Sequence, residues 1–367
     1  MLRLFLCGDV MTGRGIDQVL PQPCDPALHE DYVESALGYV RLAERRNGPI
    51  PRPVEPATIW GAALDEWARA KPDLRIVNLE TSITRSEDFA DKGINYRMSP
   101  QNAECLAAAA IDCCVLANNH VLDWGREGLR DTLAALQHLN IKTAGAGRDL
   151  GEASAPAVLP VAGKPRVLVF SYGLPSSGVP RDWAARPEAS GINFLPDLSI
   201  RSAERVCAAI ARAHRPGDVV VVSLHWGSNW GYEVPDEQVR FAHALIDRAG
   251  VSLVHGHSSH HAKGIEVYRG RLILYGCGDF IDDYEGIEGY EDFRDDLAVM
   301  YFADIEADGA LAETELVPLQ IRHFRLNRAA PEDVDWVRHR LSRESRRFGV
   351  DLSETAAGRL ALAWRPE

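Results

Sequence analysis

The chain has 367 residues, of which 46% are hydrophobic, 25% charged and 8% aromatic. This composition is typical of an ordinary globular protein and excludes disordered, collagen-like and low-complexity classes. The 40 Lys and Arg residues against 53 Asp and Glu residues give a formal net charge of −13, which argues against binding to nucleic acid or to an anionic membrane surface.

The cysteines and the apolar segments indicate where the protein works. Seven cysteines, an odd number without CxxC spacing, are typical of reduced thiols in a reducing compartment. The first residues lack the parts of a secretory signal peptide, and no apolar stretch reaches the roughly 18 residues that span a bilayer. We therefore expect a cytoplasmic protein that acts on a small-molecule or peptide substrate, without membrane or nucleic acid partners; the sequence predicts no oligomeric state.

Short apolar runs alternate with amphipathic stretches along most of the chain. This alternation is typical of an α/β protein with helices on both sides of one or two sheets. The predicted strands cover residues 2–7, 74–78, 113–117, 166–171, 219–224, 252–255 and 272–275. The predicted helices cover residues 59–70, 99–110, 125–138, 202–213 and 236–249.

Two regions depart from this alternation. Residues 17–57 hold seven of the 21 prolines and are expected to form a long, largely irregular excursion over the surface. After residue 295 the pattern predicts strands over 297–305 and 311–325, followed by helices from residue 330 onward.

Side chains that bind divalent metals follow one predicted strand after another. Because ligands bind at the carboxyl ends of strands in open α/β sheets, these side chains should converge. Carboxylates, carboxamides and imidazoles suit Mn, Fe, Zn or a similar divalent ion, and the set is large enough for one or two ions. The residues in question are Asp9, Asn78, Glu80, Asn118, Asn119, His120, His225 and the segment 255–261.

Each of these motifs also has a structural interpretation. Gly8-Asp9 is a common turn sequence, residues 78–80 could cap a helix, and His225 could be a core histidine beneath Trp226. Residues 255–261 are more specific, because they hold four of the twelve histidines within seven positions. A fortuitous surface cluster would rarely be that dense.

An acidic segment, residues 276–286, follows the predicted strand at 272–275. Asp279 lies closest to the strand end and is predicted to orient a metal-bound imidazole or to take part in proton transfer. For Asp282 and Glu285, a solvated acidic loop is an equally good interpretation.

Five motifs in order resemble those of the CapA family, which is named for a capsule synthesis protein and belongs to the calcineurin-like metallophosphoesterase superfamily. They are Cys-Gly-Asp-Val-Met-Thr-Gly-Arg (7–14), Val-Asn-Leu-Glu-Thr (77–81), Leu-Ala-Asn-Asn-His-Val-Leu-Asp-Trp-Gly (116–125), Leu-His-Trp-Gly (224–227) and Gly-His-Ser-Ser-His-His (256–261). The resemblance implies a four-layer α/β/β/α sandwich over residues 1–325, with the excursion at 17–57, and a helical extension over 326–367.

The resemblance also implies site residues. Asp9, Glu80 and Asn119 match metal ligands of the first half, with Glu80 as a bridging carboxylate, and His225, His257 and His260 match ligands of the second half. Two positions depart from the superfamily pattern: Met11 replaces a histidine, and Ser258-Ser259 interrupts a His-His-Pro-His motif. His261 or Asp279 would compensate for the missing ligand.

Three functions follow from this resemblance. The first is metal-dependent phosphoester hydrolysis, in which His120 stabilises or protonates the leaving oxygen while Asp279 and His261 assist. Arg14, Asn118 and Trp226 would contact the substrate, although Arg14 could equally be a structural ion-pair partner, and packing under the sheet is the favoured interpretation of Trp226. The second function is peptide epimerisation of the lasso-peptide type, by removal and return of a Cα proton. The third is a non-catalytic binding protein of polyglutamate synthesis.

Overall fold

The computed structural model describes residues 1–355 and 358–365 and contains two large sheets. The strands are β1 (Leu2–Val10), β2 (Leu74–Leu79), β3 (Ser82–Ile83), β4 (Arg97–Met98), β5 (Cys113–Val115), β6 (Lys142–Ala144), β7 (Ala146–Gly147), β8 (Ala157–Leu159), β9 (Val167–Gly173), β10 (Gly191–Ile192), β11 (Val219–His225), β12 (Leu253–His257), β13 (Ile265–Tyr268), β14 (Arg271–Leu274), β15 (Asp279–Ile281), β16 (Leu297–Ile305), β17 (Leu311–Ile321), β18 (Leu326–Arg328), β19 (Val350–Thr355) and β20 (Arg359–Trp364). The α-helices are α1 (Arg14–Val19), α2 (Leu37–Asn47), α3 (Ala62–Ala70), α4 (Glu104–Ala108), α5 (Gly125–His138), α6 (Leu150–Ser154), α7 (Ile200–Ala213), α8 (Asp236–Ala249) and α9 (Pro331–Ser345).

Parallel strands form the centre of both sheets. The larger sheet has the order β19-β20-β17-β16-β1-β2-β5-β6, with β15 added beside β1 and β18 beside β17. The smaller sheet has the order β13-β14-β12-β11-β9-β8. Since β1, β2 and β5 run parallel in one sheet and β9, β11 and β12 in the other, the carboxyl ends within each group lie at one edge.

The apolar side chains of the two sheets divide into three cores. In β1, Leu4 and Leu6 face the core between the sheets, whereas Phe5 faces the helices packed outside the larger sheet. In β11, Val221 faces the core between the sheets, whereas Val222 faces α7 and α8. Two sheets thus pack between two helical layers, which confirms the predicted α/β/β/α sandwich. Strands buried on both faces need continuous apolar sequences, and β11 shows this in its Val-Val-Val-Val run.

The structure corrects two predictions about irregular and helical regions. Within residues 17–57, α2 forms because no proline occurs between Pro26 and Pro49 and because Tyr39, Val40 and Ala43 make one buried face. Of residues 99–110, only α4 and a preceding 3₁₀ turn are helical.

The C-terminal region is not wholly helical. The helix α9 agrees with the prediction, but residues 350–355 and 359–364 form the strands β19 and β20. Their alternation explains the error, since Val350, Leu352, Leu360 and Leu362 are buried at every second position. The pairing of β20 with β17 adds this hairpin to the larger sheet. No helix in residues 1–355 or 358–365 is long and apolar enough to cross a membrane.

A buried carboxylate joins α3 to the C-terminal strands. Glu66 is 1% exposed and accepts hydrogen bonds from Arg69 (2.8 Å), Arg328 (2.8 Å) and Arg359 (3.0 Å). We expect Glu66→Ala to lower the free energy of unfolding by about 2 kcal/mol, because three guanidinium groups lose their charged acceptor. Asp65→Ala is the matched control: its exposed side chain lies 3.6 Å from Arg328, and we expect a change below about 0.5 kcal/mol. Urea unfolding measures both, and equal losses would contradict the assignment.

Candidate metal centre

Polar side chains from both sheets converge at the carboxyl ends of the parallel strands. Asp9 lies near the end of β1, Glu80 follows β2, Asn119 follows β5, and His225 and His257 end β11 and β12. Four of these side chains are buried, and Asn119 is half-buried. Ligand atoms of Asp9, His225 and His257 all lie within 4.8 Å of one another. The structure thus brings together residues from the first and second halves of the chain.

The donor atoms of this centre are close enough to share one ion. The Nδ1 atoms of His225 and His257 lie 2.8 Å apart, and Nδ1 of His257 lies 3.8 Å from Oδ1 of Asp9. Nε2 of His225 lies 2.8 Å from Oδ1 of Asn119 and 3.8 Å from Oε1 of Glu80. These five side chains thus surround a single space.

Asn78 holds the two carboxylates of the centre side by side. Its Nδ2 donates hydrogen bonds to Asp9 Oδ1 (2.7 Å) and Glu80 Oε2 (2.9 Å). Burial, and after it the carboxylate of Asp279, raises the pKa of Asp9 to about 7. Burial and the Asp9 carboxylate also raise the pKa of Glu80. Two neighbouring carboxylates with raised pKa values call for a proton or a cation between them.

A chain of hydrogen bonds fixes the tautomer of His257. The carbonyl oxygen of Cys7 accepts a hydrogen bond from His255 Nε2 (2.7 Å), so a neutral His255 has a lone pair on Nδ1. This lone pair accepts a hydrogen bond from the Ser223 hydroxyl (3.1 Å). The Ser223 oxygen in turn accepts a hydrogen bond from His257 Nε2 (2.7 Å). His257 therefore directs the lone pair of Nδ1 into the centre. Burial keeps both imidazoles neutral by lowering their pKa values, to about 4 for His255.

Either protons or a cation can satisfy the acceptors of this centre. Burial lowers the pKa of His225 well below its usual value, so its ring carries one proton. With Oδ1 of Asn119 facing Nε2, that proton satisfies either Nδ1 of His257 or Oδ1 of Asn119; with the amide turned, Nδ2 of Asn119 donates to Nε2 and both imidazoles are satisfied without an ion. A cation satisfies both imidazoles, the carboxamide oxygen and the carboxylates together. The donor set therefore fits a divalent metal of the Mn, Fe or Zn type.

His120 forms a pair with a carboxylate at the edge of the centre. Asp123 Oδ2 lies 2.6 Å from His120 Nδ1, and Asp123 also accepts hydrogen bonds from the Tyr96 amide (2.7 Å) and Lys92 Nζ (2.8 Å). Nε2 of His120 is left facing Oε1 of Glu80, 4.0 Å away. Burial lowers the pKa of His120 to about 4. The sequence did not predict Lys92 and Asp123 as site residues. The three-residue spacing from His120 to Asp123 was the available signal.

A second histidine–carboxylate pair consists of His260 and Asp279. Nδ1 of His260 lies 3.0 Å from an Asp279 oxygen, and Nε2 lies 3.0 Å from Nδ2 of Asn229. Both ring nitrogens are therefore engaged, and the structure does not present His260 as the free metal ligand that the sequence predicted. Asp279 contacts an imidazole, but not one that the structure presents as a metal ligand. In the backbone pairing of β15 with β1, Asp279 lies opposite Asp9.

The structure places Asn118 in the support of the centre and not at its surface. Its Nδ2 donates to Asn78 Oδ1 (3.0 Å) and to the Leu79 carbonyl (2.8 Å), while its Oδ1 accepts from the amides of His120 (3.1 Å) and Val121 (3.0 Å). Because all four hydrogen-bonding positions of the carboxamide are used, the predicted substrate contact is not retained. Asn118 instead shapes the turn that presents Asn119 and His120.

Arg14 is a structural ion-pair partner, one of its two predicted alternatives. The side chain is 3% exposed and binds Asp283 (2.5 Å) and Glu30 (3.1 Å). Its guanidinium lies between the rings of Tyr39 (3.8 Å) and Tyr96 (4.2 Å). These contacts occupy the group that would have held a phosphate.

Trp226 packs in a core, and His261 packs in an aromatic cluster. Trp226 is buried in the core outside the smaller sheet and donates its indole N–H to the Tyr275 carbonyl (2.9 Å). His261 packs against Tyr232 (4.3 Å) and Phe293 (4.8 Å) and makes no hydrogen bond to Asp9, His225 or His257 among the described residues. The predicted substrate contact of Trp226 and the predicted catalytic role of His261 are therefore not supported by this geometry.

The fold and this centre together define a class. The protein is an α/β/β/α sandwich with a buried cluster of imidazole and carboxylate side chains at its strand ends. Residues 3–284 match the family described as bacterial capsule synthesis protein PGA_cap, and the chain belongs to this family.

The chain is also similar to individual proteins. The chain is 48% identical over 353 residues to a probable polyglutamine synthesis accessory protein of Mycobacterium tuberculosis, covering 95% of this chain and 93% of the relative. It is 28% identical to the PGA biosynthesis protein CapA of Bacillus subtilis, covering 88% of this chain and 72% of that protein. A 5'-nucleotidase precursor from Thermus thermophilus aligns with a TM-score of 0.47 and 14% identity, covering 90% of this chain and 55% of that one.

The hydrogen bond from Ser223 to His257 predicts a change in metal affinity. We expect Ser223→Ala to weaken Mn²⁺ binding about 10- to 100-fold, because His257 Nε2 loses its acceptor and Nδ1 no longer holds a fixed lone pair. Ser171→Ala is a close control, since Ser171 pairs with Ser223 in the same sheet and its buried hydroxyl has no hydrogen-bond partner. Calorimetric titration with Mn²⁺ compares the two, and equal affinities would contradict the proposed tautomer.

Proposed function

We propose that this protein is a metal-dependent hydrolase that cleaves phosphoesters. The observation that carries the proposal is the meeting of two features in one buried space. One is the cluster of possible ligand atoms from Asp9, His225 and His257; the other is the lone pair of His120, which faces Glu80. A metal site with an adjacent oriented base is what phosphoester hydrolysis requires.

The residues of the centre have two roles, metal binding and positioning of the ligands. Asp9, Glu80, Asn119, His225 and His257 would hold one or two ions of Mn, Fe or Zn, and a bound ion supplies polarisation of the phosphoryl oxygen. Asn78 keeps the two carboxylates at a fixed separation, while Ser223 and His255 keep the His257 lone pair directed at the ion.

His120 moves the proton. Its Nδ1 proton is held by Asp123, so Nε2 is free to accept a proton from the attacking water. The leaving oxygen lies on the opposite side of the phosphorus and takes its proton from solvent. The Asp123 carboxylate stabilises the His120 imidazolium until it releases its proton to solvent. Lys92 keeps Asp123 in place from the other side.

Turnover of an aryl phosphate tests the proposal. The protein is loaded separately with Mn²⁺, Fe²⁺, Zn²⁺ and Mg²⁺, and hydrolysis of p-nitrophenyl phosphate is followed. We expect saturable turnover with at least one ion, and its loss in His257→Ala. Stoichiometric metal without turnover of any phosphoester would reject hydrolysis.

A second candidate function, peptide epimerisation, has one observation in its favour. There are two histidine–carboxylate pairs, His120–Asp123 and His260–Asp279. Their imidazoles follow strands of different sheets, and both lie near enough to His225 to lower its pKa after burial. Epimerisation needs a base and an acid on opposite faces of a Cα atom. Uptake of deuterium from D₂O into an intact peptide would favour it over hydrolysis.

A third candidate is a non-catalytic role in polyglutamate synthesis. It is supported by the names of the relatives, which include an accessory protein of polyglutamine synthesis. Metal binding without phosphoester turnover and without deuterium uptake would favour this non-catalytic role over hydrolysis and epimerisation.

We also propose a cytoplasmic location. All seven cysteines are free, and six of them are buried, as expected for a protein kept in a reducing compartment. Cell fractionation tests this, and recovery with the envelope fraction would reject it.

A further inference from the structure

A cleft of about 950 Å³ opens beside the metal centre. It lies between the C-terminal end of α2, the loop that follows β15 and the end of β17. Tyr284, one of its lining residues, places its ring edge-on to His260 at 5.3 Å, and Asp282, another, follows Asp279 by three positions. Tyr284 thus separates the cleft from the His260–Asp279 pair and contacts both.

The floor of the cleft holds a buried carboxyl group. Asp282 is 2% exposed; its Oδ1 accepts a hydrogen bond from the Tyr284 amide (2.8 Å), and no donor lies within hydrogen-bond distance of its Oδ2. Burial, and after it the Asp279 carboxylate, raises the pKa of Asp282. Asp295, half-buried in the same wall, forms no ion pair with any residue in the described ranges. A buried carboxylate oxygen without a donor is costly, so this floor favours a cationic group from outside the chain.

The rim of the cleft carries charges of both signs. Arg45, Arg46 and Arg322 line it with exposed side chains that make no side-chain hydrogen bond or ion pair within residues 1–355 and 358–365, and the exposed acids Glu288 and Glu291 line it beside them. Three unpaired guanidinium groups at one opening stand out in a chain with a net charge of −13. Guanidinium groups bind carboxylate or phosphate oxygens, so the rim favours an anionic group.

We infer that the cleft binds a substrate that carries both a primary ammonium group and a carboxylate, as an amino acid or a short peptide does. An ammonium donates three hydrogen bonds, which suits the free oxygen of Asp282 together with Asp295, and the ring of Tyr284 lies in the same wall. A metal ion fits the floor less well, because in the described part of the chain only Asp9, His225 and His257 bring three such ligands together. The inference rests on the proposed function only in treating the cleft as the substrate's route to the centre.

Three peptide probes test both ends of this ligand. Calorimetry compares triglycine with N-acetyl-triglycine, which lacks the ammonium, and with triglycine amide, which lacks the carboxylate. We expect triglycine to bind at least about tenfold more tightly than either, since each analogue loses a charge-assisted hydrogen bond. Equal binding of all three, or no binding, would overturn the inference.

Variants assign the ammonium contact to the floor. We expect Asp282→Asn and Asp295→Asn each to weaken triglycine binding at least about tenfold without changing the affinity for N-acetyl-triglycine. Glu288→Gln, an exposed acid in the same cleft, is the control and should bind triglycine as the parent does. Metal content and thermal unfolding verify that each variant is folded.

The outcomes separate this inference from the proposed function. If Asp282→Asn instead removes an equivalent of bound Mn²⁺, the floor is a metal site and the ammonium assignment is wrong. Phosphatase activity without preference among the three probes would reject the cleft and leave hydrolysis standing. Selective triglycine binding without phosphatase activity would reject hydrolysis and leave the cleft standing.

Discussion

Replacing His257 with alanine is expected to reduce the bound divalent metal to less than about a tenth of the wild-type content. Loss of a residue that merely orients a ligand already costs about 10- to 100-fold in affinity, so loss of the ligand itself should cost at least as much. His257 is the imidazole whose lone pair the Cys7–His255–Ser223 hydrogen bonds direct into the centre. Elemental analysis of untagged protein after dialysis measures the effect.

His243→Ala is the matched control for this measurement. His243 is a half-buried imidazole on α8, stacked on Tyr268 (3.6 Å) and 3.0 Å from Glu266, away from the cluster. Its removal should leave the metal content unchanged. Equal metal in the His257→Ala protein and the parent would show that the ion lies elsewhere, and the assignment of the centre would be wrong.

Replacing Asp123 with asparagine is expected to lower kcat for an aryl phosphate about 10²- to 10⁴-fold. The neutral amide no longer stabilises the His120 imidazolium. Its NH₂ group can also donate to Nδ1 of His120, which favours the tautomer with the proton on Nε2 and removes the lone pair that accepts the proton. Metal content should be retained, because Asp123 touches His120, Lys92 and Tyr96 and none of the metal ligands. KM should change little, since the side chain is buried behind His120.

Asp131→Asn controls for the loss of one buried charge. Asp131 lies on α5, accepts a hydrogen bond from Thr84 (2.5 Å) and contacts no histidine. We expect kcat close to that of the parent in this variant. If Asp123→Asn also kept its kcat, His120 would not act through this carboxylate.

The strands and the metal ligands were predictable for one reason. A strand buried on both faces must be apolar, so the polar residue that ends it stands out, as Asp9 and His225 do. The fold then brings these ends together whatever the loops do. This is why Asp9, Glu80, His225 and His257 could be proposed from the sequence and lie in one space in the structure.

The partners that set protonation could not be predicted in this way. Ser223 lies inside an apolar strand and looks like an ordinary core residue, although its hydroxyl bridges His255 and His257 by hydrogen bonds. His260 and His261 are neighbours in the chain, but the positive φ angle of Ser258 (104°) belongs to a loop conformation that no local pattern reveals. One ring therefore meets Asp279 and the other an aromatic cluster.

The position of the bound ion is the most direct test of the metal centre. Crystals of the protein loaded with Mn²⁺, measured with X-rays near the manganese absorption edge, locate manganese by its anomalous scattering. We predict a peak enclosed by Asp9, His225 and His257, and no peak there in His257→Ala. Fully loaded crystals without a peak at this position would contradict the assignment of these strand ends as a metal centre.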